Sequence, residues 1–344
     1  MGMDRREFTA LFAGAIAGLA IPTDLAALGR HDSPLDRLFH RGACSRRASY
    51  FEFQAVSDRV HAIIGGGGNS ILFRGSSTAM LADSKNPGMG RTIRREVEAQ
   101  GLPIAHFVNT HHHSDHSGGN DAFAEVHTVA HEAAAARIAS SGEATLTQAV
   151  SVANRLLEQL RSEDGDAAVI ADLEATIAEA ARTAPAAFAP SQTHAGEMTM
   201  HVDGDVAEFR WVSAGHTDGD TFIYIPSQNV LHAGDLIFNG RHPYVDVPGG
   251  STPHGWLTCL DAMAARCDAD TVVVPGHGAV GGRELIAEQK AYFERLMALV
   301  GAAIRDGRTR EEVIAIAPDD LTSLASAAGH LPRNLGVVFD EMSR

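Results

Sequence analysis

His111, His113, Asp115 and His116 stand in the order His-x-His-x-Asp-His, in a segment that runs from Thr110 to Gly119. Neutral imidazole nitrogens and a carboxylate oxygen suit zinc and its first-row neighbours. Three imidazoles and one carboxylate on so short a turn can hold more than one cation. Alternate side chains share a direction there, so His111 and His113 pair and His112 faces away. The chain holds 18 histidines, so a histidine-rich surface loop is the competing reading. The tight register of the four residues speaks for a metalloenzyme instead.

The elements that must position these residues read as strands. Pro103 to Thr110 is a strand-like run ending on the histidine cluster. Three more runs end in the same way. Val206–Val212 leads through Gly215 to His216, Asn229 to Gly234 stops on Asp235, and Thr271 to Gly276 stops on His277. Each signal is weak, because a short apolar run fits a buried helix equally well. Four runs that share one ending are far harder to dismiss.

With these residues in this order, the chain resembles the metallo-β-lactamase superfamily. The resemblance runs from about Tyr50 to about Val300 and includes the glycine turn before Asn69 and the strand ending at Asp83. It implies an α/β fold, a four-layer αββα sandwich in two similar halves, with the metals at the edge where strand ends meet. His111, His113 and His216 match the first metal site, and Asp115, His116 and His277 match the second. Asp235 matches the carboxylate between the two metals. The implied cofactor is two Zn(2+), with iron or manganese possible on the same ligands. A hydroxide shared by the metals would then attack an acyl bond, with Asp115 and Asp235 as the catalytic carboxylates. Asp83 resembles the family's strand-end acid and would orient a histidine ligand.

Substrate choice rests on other residues. Asp235 departs from the cysteine or serine that the best-known zinc β-lactamases carry. Phe238 departs from the tyrosine of the acyl-homoserine lactonases, and the basic cluster of glyoxalase II has no match. The loop from Phe238 to Asp246 remains, with His242 and Tyr244 as candidates to meet a substrate oxygen. The expected function is hydrolysis of a β-lactam, lactone, ester or thioester in a small molecule. The alternatives are a mononuclear iron oxidoreductase resembling the sulfur dioxygenases, and a phosphodiesterase of the same superfamily.

Composition fits this picture. The 344 residues are 44% apolar, enough for one large α/β core with an appendage. The 28 basic and 43 acidic residues leave a formal charge of −15, which repels phosphate backbones and excludes nucleic acid as an expected partner. Asp4-Arg5-Arg6 before an apolar run from Ala10 to Ile21 resembles a twin-arginine export signal, too short for a membrane span. The resemblance implies a periplasmic enzyme with no lasting membrane insertion. The expected organisation is a signal at 1–30, a linker at 31–48, the sandwich at 49–300 and a helical extension at 301–344.

An insert at 131–190 separates the first cluster from His216. Its Ala, Leu, Ile and Glu content predicts two helices, 131–160 and 166–182, before Pro185 and Pro190 end them. Such a hairpin is either a lid over the site or a packing decoration. Further helices are expected at 254–268 and 283–301, and from an N-capping Thr309 to a stop at Pro318. Three cysteines are too few and too scattered for a disulfide framework.

Overall fold

The computed structural model describes residues 49–344. The expected signal and linker, with Cys44, lie outside them. The first sheet opens with β1 (Glu52–Ala55), β2 (Val60–Ile64), β3 (Ser70–Arg74) and β4 (Ala79–Ala82), an antiparallel meander. Helix α1 (Gly90–Glu98) then crosses to β5 (Ile104–Val108), parallel to β4. A single turn, α2 (Ser114–Ser117), precedes β6 (His127–His131). The insert follows as α3 (Glu132–Ser162) and α4 (Ala167–Glu179), before β7 (Gln192–His194) closes a seven-stranded sheet.

The second sheet has the same plan with fewer strands. β8 (Glu197–Val202), β9 (Asp205–Arg210), β10 (Phe222–Ile225) and β11 (Val230–Phe238) are antiparallel. Helix α5 (Pro253–Arg266) then leads to β12 (Val272–His277), parallel to β11. Helices α6 (Glu284–Arg305), α7 (Arg310–Ile314), α8 (Asp319–Thr322) and α9 (Ala327–Met342) end the chain. Position 301, the expected start of a separate extension, lies inside α6. Thr309 caps α7 in a reciprocal box with Glu312.

Strands buried on both faces explain the continuous apolar runs. In β3, Ile71 and Phe73 face the other sheet, where they join Phe209, Ile223 and Val274 in one cluster. Leu72, between them, joins Ile93 of α1 and Leu157 and Leu173 of the insert. A third cluster packs Trp256 and Phe293 of α5 and α6, with Leu335 of α9, against Leu231 and Val273. Three apolar seams between four layers make the αββα sandwich. The insert shares the first outer seam and so belongs to the core.

Cys259 and Cys267 are buried free thiols. No helix among the described residues is long and apolar enough to cross a membrane.

Candidate metal centre

Parallel strands of both sheets end at one edge, and the chemistry collects there. Asp83 follows β4 directly, His111 to His116 fill the turn after β5, and His277 is the last residue of β12. Asp235 sits within β11, where the pairing with β12 loses register after Gly234. His216 comes from the loop between β9 and β10. Helix α2 raises Asp115 and His116 from its first turn.

His111, His113, His216 and Asp235 present donor atoms within 4.8 Å of one another, and so do Asp115, His116 and His277. The Asp235 carboxylate lies between the groups. Its Oδ1 is 3.0 Å from His116 Nε2, and its Oδ2 is 3.4 Å from His216 Nε2 and 3.3 Å from His277 Nε2. His111 Nε2 stands 3.8 Å from the same Oδ2, and Asp115 Oδ2 is 3.2 Å from His277 Nε2. His113 Nδ1 and His216 Nε2 approach to 2.8 Å.

The residues fit divalent cations. His111 Nε2, His116 Nε2 and Asp235 Oδ1 are buried without a well-directed hydrogen bond, the 3.0 Å approach of the last two included, a costly arrangement unless something else engages them. Two glycines keep the space open. A Cβ on Gly276 would meet Asp235 Oδ1 at 1.9 Å, and one on Gly68 would meet His116 Nε2 at 2.0 Å.

The outward nitrogens are held from behind, as metal-binding histidines require. His116 Nδ1 donates to Asp83 Oδ2 at 2.7 Å, and His216 Nδ1 donates to the Tyr244 carbonyl at 2.7 Å. Thr110 Oγ1 donates to Asp83 at 2.7 Å and lies 3.0 Å from His111 Nδ1. His113 Nε2 donates to Asp246 Oδ2 at 2.8 Å. Phe238 stacks on His277 at 5.2 Å between ring centroids.

Charge follows from burial and neighbours. Burial holds His111 well below the usual imidazole range and brings His216 down to about 3. Burial pushes His277 and His116 the same way, but Asp235 and its fellow carboxylates overcome it, lifting His277 to about 9 and holding His116 well above the usual imidazole range. Burial would raise Asp83, yet His116 keeps it below the usual carboxylate range.

Two sequence readings change at this point. His242 does not reach the site. It is fully buried, with Nε2 donating to the Leu321 carbonyl at 2.9 Å and Nδ1 accepting from the Tyr292 hydroxyl at 2.7 Å. The C-terminal helices that cover it gave no sign of this in the loop sequence. Tyr244, in contrast, lies edge-on to His113, 5.8 Å between centroids, under the Arg333 guanidinium. The residue missed is Asp246. A carboxylate in the loop after Asp235 was the available signal, but nothing local marked its partner. The second changed reading is His112, expected to face away from His113, which turns toward Asp246 beside it, at 3.8 Å.

A model of the metallo-beta-lactamase superfamily matches residues 63–277. The chain is 26% identical over 101 residues to the metallo-beta-lactamase type 2 of Bacteroides fragilis. That match takes in 29% of this chain and 41% of the relative, so the chain spans about two fifths of that protein's length. A metallo-beta-lactamase structure from Pontibacter korlensis superposes with a TM-score of 0.52 at 17% identity, covering 71% of this chain and 99% of its own. The DIM-1 metallo-beta-lactamase does so at 0.50 and 16%, covering 71% and 97%. These superpositions speak for the fold alone. The family match, which takes in most of the described chain and every residue of the cluster, establishes that the chain belongs to the metallo-beta-lactamase superfamily.

Proposed function

We propose that this chain is a dinuclear metal-dependent hydrolase that cleaves an acyl bond of a small molecule. The observation that carries the reading is the pair of ligand groups sharing the Asp235 carboxylate, with buried donor atoms left unpartnered. His111, His113 and His216 would hold one cation; Asp115, His116 and His277 would hold the other, with Asp235 facing both. Zinc suits this nitrogen and oxygen set, and iron or manganese also fits it. Bound there, the cations supply Lewis acidity and make water acidic enough to act as a nucleophile near neutral pH.

The chain's own groups complete the chemistry. Asp83, Asp246 and the Tyr244 carbonyl engage the outward nitrogens of His116, His113 and His216, so that with cations bound the inward nitrogens would be the lone-pair donors. Asp115 is the site carboxylate with the most solvent access, at 28% of its side chain. It is the residue placed to hold a proton on its way out. Tyr244 and Phe238 offer aromatic surface beside the ligands to an acyl substrate. The arginine pair near the N-terminus supports export of the folded protein to the periplasm as part of this proposal.

The test is a panel on the zinc-loaded protein, with a chromogenic cephalosporin, lactones, thioesters and phosphodiesters side by side. Acyl hydrolysis that disappears in His216→Ala, with loss of bound metal, is the expected result. Retained hydrolysis in that variant would sink the mechanism. One iron per chain with oxygen uptake and no hydrolysis would move the protein to the oxidoreductase reading.

A further inference from the structure

The loop between β11 and α5, residues 239–251, supplies two of the acceptors at the first metal position. The Tyr244 carbonyl accepts a hydrogen bond from His216 Nδ1 and the Asp246 carboxylate accepts one from His113 Nε2. Beyond an isolated bridge between Arg241 and Ala325 the loop has no strand pairing, and such a segment opens locally at low free energy unless other elements hold it. Here they do, from both flanks.

On one flank stands Arg137 of α3, in the insert. Its fork grips Asp218 with Nε to Oδ1 at 2.9 Å and Nη2 to Oδ2 at 2.6 Å, while Nη1 donates to the Pro248 carbonyl at 3.3 Å. Asp218, two residues after His216, donates its own N–H to the Gly249 carbonyl at 2.8 Å. On the other flank stands α9. Arg333 Nε donates to the Val245 carbonyl at 3.1 Å with its guanidinium 4.1 Å from the Tyr244 ring centroid, and Asn334 donates to the Pro243 carbonyl at 2.9 Å. A forked arginine contact fixes geometry as well as adding energy.

We infer that Arg137 and Arg333 are positioning residues for the first metal position, acting through the loop that carries Tyr244 and Asp246. The insert is then a buttress for one of the two positions. The second position escapes this control, because His116 rests on Asp83 in the sheet core. The inference rests on the metal-binding reading above and separates the two positions within it.

Cobalt(II) is the probe. In the cobalt-loaded protein, the ring N–H protons of His113, His216 and His116 are read by proton NMR as they exchange with water. Arg137→Ala with Arg333→Ala should speed exchange at His113 Nε2 and His216 Nδ1 and weaken the first cobalt position, each by about tenfold, the size expected when outer partners of a ligand are lost. Exchange at His116 Nδ1 and the second position should stay as in the parent. Arg137→Lys, which keeps the charge and loses the fork, should fall between. Unchanged exchange at His113 and His216 in the folded double variant overturns the inference, and so does equal acceleration at His116. If the double variant fails to fold, the single substitutions carry the same readings. If the parent binds no cobalt, the metal reading fails, and the buttress is tested in the metal-free protein by amide exchange at Asp218 and Ser251. Faster exchange there in the variant supports it, and unchanged exchange overturns it.

Discussion

Asp83 and Asp246 do one task in opposite surroundings. Each accepts a hydrogen bond from a histidine of the cluster, Asp83 from His116 and Asp246 from His113. Asp83 is fully buried at the end of a central strand, also accepts from the Thr110 amide at 2.8 Å, and holds a left-handed φ of 66°. Such a φ costs a residue with a side chain about 1–2 kcal/mol. Asp246 sits on an irregular loop tied down by long side chains. A buried carboxylate with fixed donors is part of the fold's stability, whereas a carboxylate on a braced loop is adjustable without touching the core.

The largest effect should come from Asp83→Asn, which turns an acceptor of three buried donors into a mismatched amide. Breaking such a buried charge pair costs about 3–5 kcal/mol. Urea denaturation of the metal-free protein should show a loss of that size, and a loss below 1 kcal/mol would erase the contrast between the two carboxylates.

Asp246→Ala should leave the urea midpoint of the metal-free protein nearly unchanged and, on the dinuclear proposal, weaken the first metal position by about 10- to 100-fold, the usual cost of losing a ligand's outer partner. Competition with a chromophoric chelator measures this. Equal weakening of both positions would show that the loop and the core are coupled.

His242→Phe sharpens the same contrast from the loop's buried side. It strands the Tyr292 hydroxyl and the Leu321 carbonyl, at a cost of about 1–3 kcal/mol, and should leave hydrolysis and metal content as they are. A loss of activity at equal stability would return His242 to the substrate pocket.

The smallest effect at neutral pH belongs to Lys85→Met. Lys85 is fully buried with a left-handed φ of 72°, and its amine donates to the Ile63 and Gly68 carbonyls at 2.6 and 2.7 Å. Burial brings the amine from 10.5 down to about 7, against the pull of Asp83 and Asp115. Between those values the unfolded chain binds the proton and the folded one does not, so stability conferred at this position rises from pH 7 to pH 10.5 and is flat below. The difference in stability between parent and Lys85→Met, measured by urea across that window, should grow with pH. A constant difference would mean that the amine stays charged in the fold.

The candidate ligand residues were readable in the sequence because an apolar run precedes or contains each of them: β5 before His111 to His116, β9 before the loop with His216, β11 around Asp235, and β12 ending on His277. Asp83 shared that signal. Asp246 did not, since the partner that gives it meaning is 133 positions away and the loop has no periodicity. His242 misled for a related reason. Its side-chain partners come from α6 and α8, Tyr292 and Leu321, whose packing over the loop is a property of the closed fold. The insert's two helices were plain from composition, ending at 162 and 179 against the expected 160 and 182. What they brace lay in the reach of one arginine.

Each ligand group draws two residues from the turn after β5 and a third from the second sheet, His216 in one case and His277 in the other. A cation at either place is therefore a staple across the seam between the sheets, binding the folded chain and not the unfolded one. On the dinuclear proposal, free metal concentration becomes a thermodynamic handle on the whole molecule, and the unfolding temperature a gauge of how many staples are in place.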